Sequence, residues 1–156
     1  MSENMVQYRC CFAGHNKYYD ANMNSKIRET ATNLIEQFGV KEFWVGQHGG
    51  FDSCAAQVIR DLKKEYPYIE LILVIPYITK FLNESKDIYY QKYACILVAD
   101  IPLNTPPRFK ILKTNQYMVD KSNFLICCVD HSWGGAAQTL EYAQKKQHIT
   151  VINLES

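Results

Sequence analysis

The residues whose types and spacing suit chemistry here are two glycine pairs, three histidines near them, and a few carboxylates. One pair stands in Gly46-Gln47-His48-Gly49-Gly50-Phe51-Asp52-Ser53, the other in Asp130-His131-Ser132-Trp133-Gly134-Gly135-Ala136. Glycine lets backbone N–H groups come close to a phosphate, and a helix that opens directly after it adds partial positive charge. That is anion-binding chemistry; tight turns made for chain geometry alone are the alternative. Neither segment contains the Gly-x-Gly-x-x-Gly dinucleotide fingerprint or the Gly-Lys-Ser/Thr of a Walker A loop, which disfavours ordinary dehydrogenases and P-loop NTPases.

His15, in Gly14-His15-Asn16, and then His48 and His131 each follow an apolar run. An imidazole there can donate to phosphate or act as a general acid or base, and a solvated loop side chain is the plainer reading. Asp52 is read either as a cap of the following helix or as a partner for a ribose or base. Trp133 either stacks on a base or ribose or packs on its own loop. Pro76 and Tyr77 follow a further run, and Arg108 is the cation near the start of a helix carrying Asn115, Met118 and Asp120. His148 precedes the last apolar run, at the opposite edge, and reads as structural. There is no Cys-x-x-Cys and no histidine pair at i, i+4, so no metal site and no cofactor is expected.

These residues need elements to position them. An apolar run over 8–13 ends at Gly14, and Ile27, Ala31, Leu34, Ile35 and Phe38 follow helical spacing over 25–38, with Asn24 or Ser25 as cap and Gly39 as stop. A second strand begins at Phe43; Ala55, Ile59, Leu62 and Tyr66 mark a helix closed by Pro67; and 69–75 reads as a strand buried on both faces. A crossover over 79–93, a strand over 94–99 and a Pro-broken loop over 102–107 follow, then a helix over 108–121, a strand over 124–129, a helix over 134–146 and a strand over 149–153. About six strands separated by helices predict a doubly wound, mostly parallel α/β sheet, Rossmann-like in plan. In such sheets ligands bind outside the carboxyl ends of the strands, where both glycine turns fall.

The 156 residues fit a single domain over 1–156; 47% are hydrophobic and 21% charged, which excludes a disordered chain. With 17 Lys and Arg against 16 Asp and Glu, nothing draws the whole molecule to nucleic acid or an anionic membrane. The longest apolar run, from Ile69 to Tyr77, is interrupted by Glu70 and falls short of the roughly 20 residues of a spanning helix. Met1-Ser2-Glu3-Asn4 lacks a secretory pattern, and the six cysteines, four of them in the adjacent pairs Cys10-Cys11 and Cys127-Cys128, read as buried thiols with Cys54 and Cys95 in similar company. A cytoplasmic protein with no membrane or nucleic-acid partner is expected.

Several segments carry a family resemblance. Cys11-Phe12-Ala13-Gly14-His15-Asn16 is similar to the Phe-x-Gly-His-Arg opening of the SLOG superfamily in its YpsA-like branch. The likeness continues through the 45–52 segment, Leu62-Lys63-Lys64-Glu65-Tyr66-Pro67-Tyr68-Ile69, Pro107-Arg108-Phe109 with Asn115-Gln116-Tyr117-Met118, and His131-Ser132-Trp133-Gly134-Gly135-Ala136-Ala137, over about residues 8–154. The resemblance implies a Rossmann-like fold, a nucleotide, NAD-related or ADP-ribose-type ligand, and a homo-oligomer, either dimer or tetramer. The related LOG enzymes cleave a ribose–base bond with Pro-Gly-Gly-x-Gly-Thr-x-x-Glu. Here the region runs Trp133-Gly134-Gly135-Ala136-Ala137-Gln138-Thr139-Leu140-Glu141, without Gly-Thr, and Glu141 follows Thr139 by two positions where the motif has three. Counted from the second glycine, Glu141 keeps the motif's six-residue spacing, and it is the missing Gly-Thr that stops the catalytic Glu from carrying over. The family's Arg after Gly-His is Asn16 here, and its Arg before the helix Asn is Thr114, which leaves Arg108, Lys113 and backbone N–H groups for phosphate.

Three functions follow. The leading one is binding of a nucleotide-derived small molecule, such as an ADP-ribose or NAD derivative or a cyclic nucleotide, to sense or sequester it. The second is an N-glycosyl hydrolase in which Asp52, Asp120 or Glu141 stabilises a ribose cation and His15 or His48 assists the leaving group. The third is an oligomeric interaction module with a vestigial cleft, its surface supplied by Tyr18, Tyr19, Tyr89, Tyr90 and Tyr93.

Overall fold

Strands β1 (Tyr8–Gly14), β2 (Val40–Val45), β3 (Glu70–Ile75), β4 (Cys95–Val98), β5 (Phe124–Cys128) and β6 (Thr150–Asn153) form one sheet in the order β4-β3-β2-β1-β5-β6. Every pairing is parallel in this computed structural model, which describes residues 8–155; Met1 to Asn4, read above for a leader, lie outside the described residues. Helices α1 (Ala21–Phe38), α2 (Gly50–Glu65), α3 (Lys80–Glu84), α4 (Lys86–Lys92), α5 (Lys110–Asp120) and α6 (Gly135–Gln144) join them, so the α/β, Rossmann-like plan holds. Among the described residues no helix is long and apolar enough to cross a membrane.

The central strands are apolar throughout because both faces are covered. Cys10 and Phe12 of β1 pack with Ile27 and Leu34 of α1 and Ile59 and Leu62 of α2, while Cys11 and Ala13 pack with Met118 and Val119 of α5 and Ala143 of α6. Side chains alternate across a strand, so each adjacent cysteine pair straddles the sheet: Cys10 and Cys128 face one layer, Cys11 and Cys127 the other. All six cysteines are free, but two depart from the expected burial. Cys54 is half-buried, and Cys95 is exposed because it opens β4, the edge strand. Phe12 is almost wholly buried at the centre, and Phe12→Ala would cost about 3 to 5 kcal/mol.

Several boundaries move. Helix α1 starts at Ala21, four residues before the expected point, because Asp20 caps it through the Asn22 N–H and Met23 extends the buried stripe by one turn. The left-handed Gly39 ends it as expected. Strand β2 starts at Val40, directly after that stop. The 79–93 crossover is two short helices broken at Ser85, and a 3-10 turn over Pro107–Phe109 precedes α5. The five tyrosines do not form one surface, since Tyr19 is buried and Tyr89 and Tyr93 are half-buried.

From β1 to β4 the chain builds toward one edge; it then crosses back over and adds β5 and β6 on the other side of β1. Connections leave β1 and β5 in opposite directions, which opens a crevice at their carboxyl ends, where doubly wound folds bind ligands.

Candidate functional site

A cleft of about 840 Å³ occupies that crevice, within the 300–1,000 Å³ range usual for small-molecule sites. Gly14, His15 and Asn16 line it from the end of β1, Gln47, His48, Gly49 and Asp52 from the turn after β2, Arg108 and Asn115 from the approach to α5, and His131, Trp133, Gly134, Gly135 and Ala136 from the turn after β5. Among the described residues lining it, Arg108 is the only Lys or Arg and Asp52 the only carboxylate.

The two glycine turns differ in what requires glycine. At the first, a Cβ on Gly50 would sit 1.7 Å from the Lys17 carbonyl oxygen and one on Gly49 would sit 2.8 Å from the Asn16 Cα. That turn is pressed against the β1–α1 loop, so packing accounts for Gly50, and packing together with a φ of +127° accounts for Gly49. At the second, Gly134 has φ +94°, which favours glycine, but a Cβ on Gly135 would meet nothing within 4 Å. Packing does not explain Gly135; it bares the backbone at the start of α6. No side chain caps α6, and its first turn holds no acid, so its leading N–H groups and the helix dipole face the cleft unopposed. Helix α2 also lacks a side-chain cap, but it carries Asp52 in its first turn, and the carboxylate accepts the His48 N–H at 2.9 Å. Asp52 therefore closes the turn that precedes α2 while keeping part of its surface in the cleft. Burial pushes its pKa up to about 6, opposed by the His48 N–H.

The imidazoles of His15 and His131 stack at 3.7 Å between centroids, and His131 in turn stacks on Trp133 at 3.8 Å. Asp130 lies beside this column, with Oδ1 at 3.4 Å from His15 Nε2 and 3.7 Å from His131 Nε2, and Lys17 Nζ bonds its other oxygen at 3.1 Å. The Lys17 hydrogen bond holds the Asp130 carboxyl below the usual carboxylate range. Burial, then repulsion from His131, lowers the His15 pKa, and burial lowers that of His48. Buried ring nitrogens of all three (His15 Nε2, His48 Nε2 and His131 Nδ1) lack a hydrogen-bond partner in the protein. Buried polar groups rarely stay that way.

His15, Asp130 and His131 place three ligand atoms within 4.8 Å of one another. An i, i+4 spacing rule misses this gathering because the residues come from loops after different strands. A metal lies near the plane of an imidazole that binds it, since the nitrogen lone pair does. Rings only 21° from parallel and 3.7 Å apart share no nearby in-plane point, so in this arrangement the two imidazoles form a stacked column beside Asp130 and do not aim at one ion.

Other residues singled out from sequence lie elsewhere. Met118 is core, Asp120 sits at the far end of α5 bonded to the Tyr142 hydroxyl at 2.8 Å, and Glu141 is exposed and off the cleft wall. Phe51 is buried against Gly14, and Gly46 leaves room for the Asp52 carboxylate. Ser53 points to solvent, Pro76 is half-buried off the cleft wall, and Tyr77 lies under the Lys110 ammonium at 4.3 Å. Lys113 is exposed and off the wall, and Thr114 is buried with its hydroxyl on the Lys110 carbonyl. His148 bonds the Val119 carbonyl at 3.0 Å. Sequence reasoning gave no role to Asp130, Lys17 or Gln138. The first two became legible only once β5 was placed beside β1, and Gln138 lies on the α6 face shared with Gly134 and Gly135.

Fold and cleft together define a Rossmann-like α/β protein with a ligand crevice at its topological switch point. The chain belongs to the YspA SLOG family (YpsA), whose model matches residues 10–155, and its fold is of the nucleotide-related binding type. It is 28% identical over 141 residues to the uncharacterized SPbeta prophage-derived protein YoqJ of Bacillus subtilis (strain 168), covering 77% of this chain and 81% of that one. It is 30% identical over 123 residues to UPF0398 protein BH1768 of Halalkalibacterium halodurans, covering 73% of this chain and 63% of that one. Its fold is similar to that of DNA processing protein A (DprA) from Streptococcus pneumoniae, with TM-score 0.61 and 15% identity over 89% of this chain and 47% of that one. The Moco carrier protein of Chlamydomonas rheinhardtii is similar with TM-score 0.51 and 15% identity, over 94% of this chain and 76% of that one. The chain thus spans under half of the DprA chain and under two thirds of BH1768.

Proposed function

We propose that the cleft binds a nucleotide-derived small molecule, an ADP-ribose-type or cyclic nucleotide, as a sensor or sequestering protein. The observation that carries this reading is the start of α6, where an uncapped helix N-terminus and an unobstructed Gly135 adjoin Trp133 and line the same cleft as Arg108. A phosphate suits that end, because the dipole and the guanidinium both favour it and the nearby Asp130 carboxylate, which is off the cleft wall, is paired with Lys17. The base belongs on Trp133, which is 68% exposed and has one face backed by His131. Asp52, on α2 after β2 and so on the other side of β1 from β5, repels phosphate and suits ribose hydroxyls or base N–H donors.

A second reading, ribose–base hydrolysis, rests on Asp52 alone: a cleft carboxyl with its pKa raised to about 6 is set for proton transfer near neutrality. Thermal shift with AMP, NAD, ADP-ribose, cyclic ADP-ribose isomers and cyclic dinucleotides tests both readings. A ligand at about 100 times its Kd stabilises by roughly 2.7 kcal/mol. Recovery of the ligand intact supports a binder, and recovery as base plus ribose product supports the hydrolase. No shift with any of them overturns both.

A further inference from the structure

A second cavity of about 280 Å³ lies beside the main cleft, walled by α3 and α4, and Gln47 belongs to the walls of both. Its lining is mixed: Phe81, Ile88, Tyr89 and Tyr93 supply aromatic and aliphatic surface, Gln47 and Ser85 supply polar groups, and Lys92 is its only charge among the described residues. Tyr89 and Tyr93 stack at 6.4 Å with rings 21° apart, and the Arg60 guanidinium covers Tyr93 at 5.4 Å. These contacts hold the Tyr93 ring in place as part of a wall. Burial raises the Tyr93 pKa, which keeps its hydroxyl neutral, and the two cavities share Gln47.

A pocket of this kind recognises a flat, uncharged ring through apolar contact and stacking, while a lone lysine at its rim favours an anionic linker. We propose that this cavity is a second-base subsite. The occupant is then a two-base nucleotide whose phosphates lie in the main cleft and whose second base passes over Gln47 to the Phe81, Ile88, Tyr89 and Tyr93 wall. The inference rests on the nucleotide reading of the main cleft and adds the ligand's second half. It also assigns a role to the α3–α4 crossover, where Phe81 and Ile88 are 69% and 55% exposed.

Calorimetric titration with AMP, ADP-ribose and diadenosine diphosphate tests it, because the last two differ by the second adenine alone. The expected result is at least tenfold tighter binding of diadenosine diphosphate than of ADP-ribose. Phe81→Ala and Ile88→Ala truncate exposed side chains and leave the core intact; each should reduce that gain and leave AMP affinity unchanged. If diadenosine diphosphate binds no tighter than ADP-ribose while AMP or ADP-ribose binds, the second-base subsite is overturned and the main-cleft reading survives. If the gain persists undiminished in both variants, the second base lies elsewhere and the assignment is likewise overturned. If none of the three binds, the subsite is overturned for want of its premise, and the cyclic nucleotides of the thermal-shift series decide the main-cleft reading.

Discussion

The imidazoles of His15 and His131 lie face to face at 3.7 Å, although one follows β1 and the other β5. The contact exists because those strands are neighbours, with Gly14 in register with Cys128, so the loops leaving them start side by side. It makes a continuous column from the buried His15 through His131 to the exposed Trp133. The most solvent-facing ring of the cleft is thereby braced from behind by the sheet, which pre-positions it for a flat ligand at a lower entropic cost.

Gly135→Ala separates a structural glycine from a functional one. Its φ is not left-handed and a Cβ there meets open space, so alanine should leave stability unchanged or raise it by about 0.4 to 1 kcal/mol. The same methyl group stands where a phosphate would approach the α6 backbone, so nucleotide affinity should fall at least tenfold. Urea denaturation alongside calorimetry gives both numbers. A variant that binds normally removes the α6 anion site from consideration.

Trp133→Ala should weaken binding of any base-containing ligand by about 1 to 3 kcal/mol, the usual worth of a stacked base. Stability should change little, since the side chain is 68% exposed. Trp44, the other tryptophan, is only 5% exposed, so ligand quenching of the emission should come from Trp133 and vanish in Trp133→Phe. Quenching that survives this change would place the base elsewhere.

The fold was legible because its strands are apolar runs and its helices keep a 3.6-residue stripe: β3, β5 and α2 fall close to where periodicity puts them. The early start of α1 was harder to see, because Asp20 and Met23 stand before the clear stripe. Of the site, the cleft edge and its glycine turns follow from chain order alone, since every parallel strand delivers its carboxyl end to one side. Adjacency between loops of different strands was not legible in this way. Asp130 and Lys17 meet only because β5 lies beside β1, and Asp120 and Met118 share a helix with Asn115 yet leave the cleft because of the turn and face they occupy. The two glycine pairs look alike in sequence, and only the packing around them separates one pressed against a neighbouring loop from one that is open.

Arg108→Ala tests which end of the ligand is charged. Arg108 is the only Lys or Arg among the described cleft-lining residues, and its guanidinium rests over the Phe109 ring at 4.8 Å. A hydrogen bond to a charged group is worth about 1.5 to 3 kcal/mol, so AMP affinity should drop roughly 10- to 100-fold. Adenosine, which lacks the phosphate, should bind the variant and the wild type alike. An equal loss for both would mean that Arg108 shapes the cleft wall and does not hold phosphate.

Asp52→Asn links the site to stability. With its pKa raised from 3.8 to about 6, Asp52 contributes stability that is fully present below about pH 4 and lost as pH rises through 6, because ionising it in place costs desolvation. Asparagine keeps an acceptor for the His48 N–H at the same position and cannot ionise. The variant should therefore match the wild type near pH 4 and exceed it by roughly 2 to 3 kcal/mol at pH 7.5, because each pH unit crossed between those two pKa values costs the wild type about 1.4 kcal/mol. His15 acts the other way: its lowered pKa removes stability as pH falls below its ordinary 6.5. That loss is common to both proteins and cancels in their difference. Denaturation midpoints of the pair at several pH values between 4 and 8 give the curve. A difference that stays flat across this range would mean that Asp52 titrates as an ordinary surface carboxylate, and the hydrolytic reading would lose the one observation that favours it.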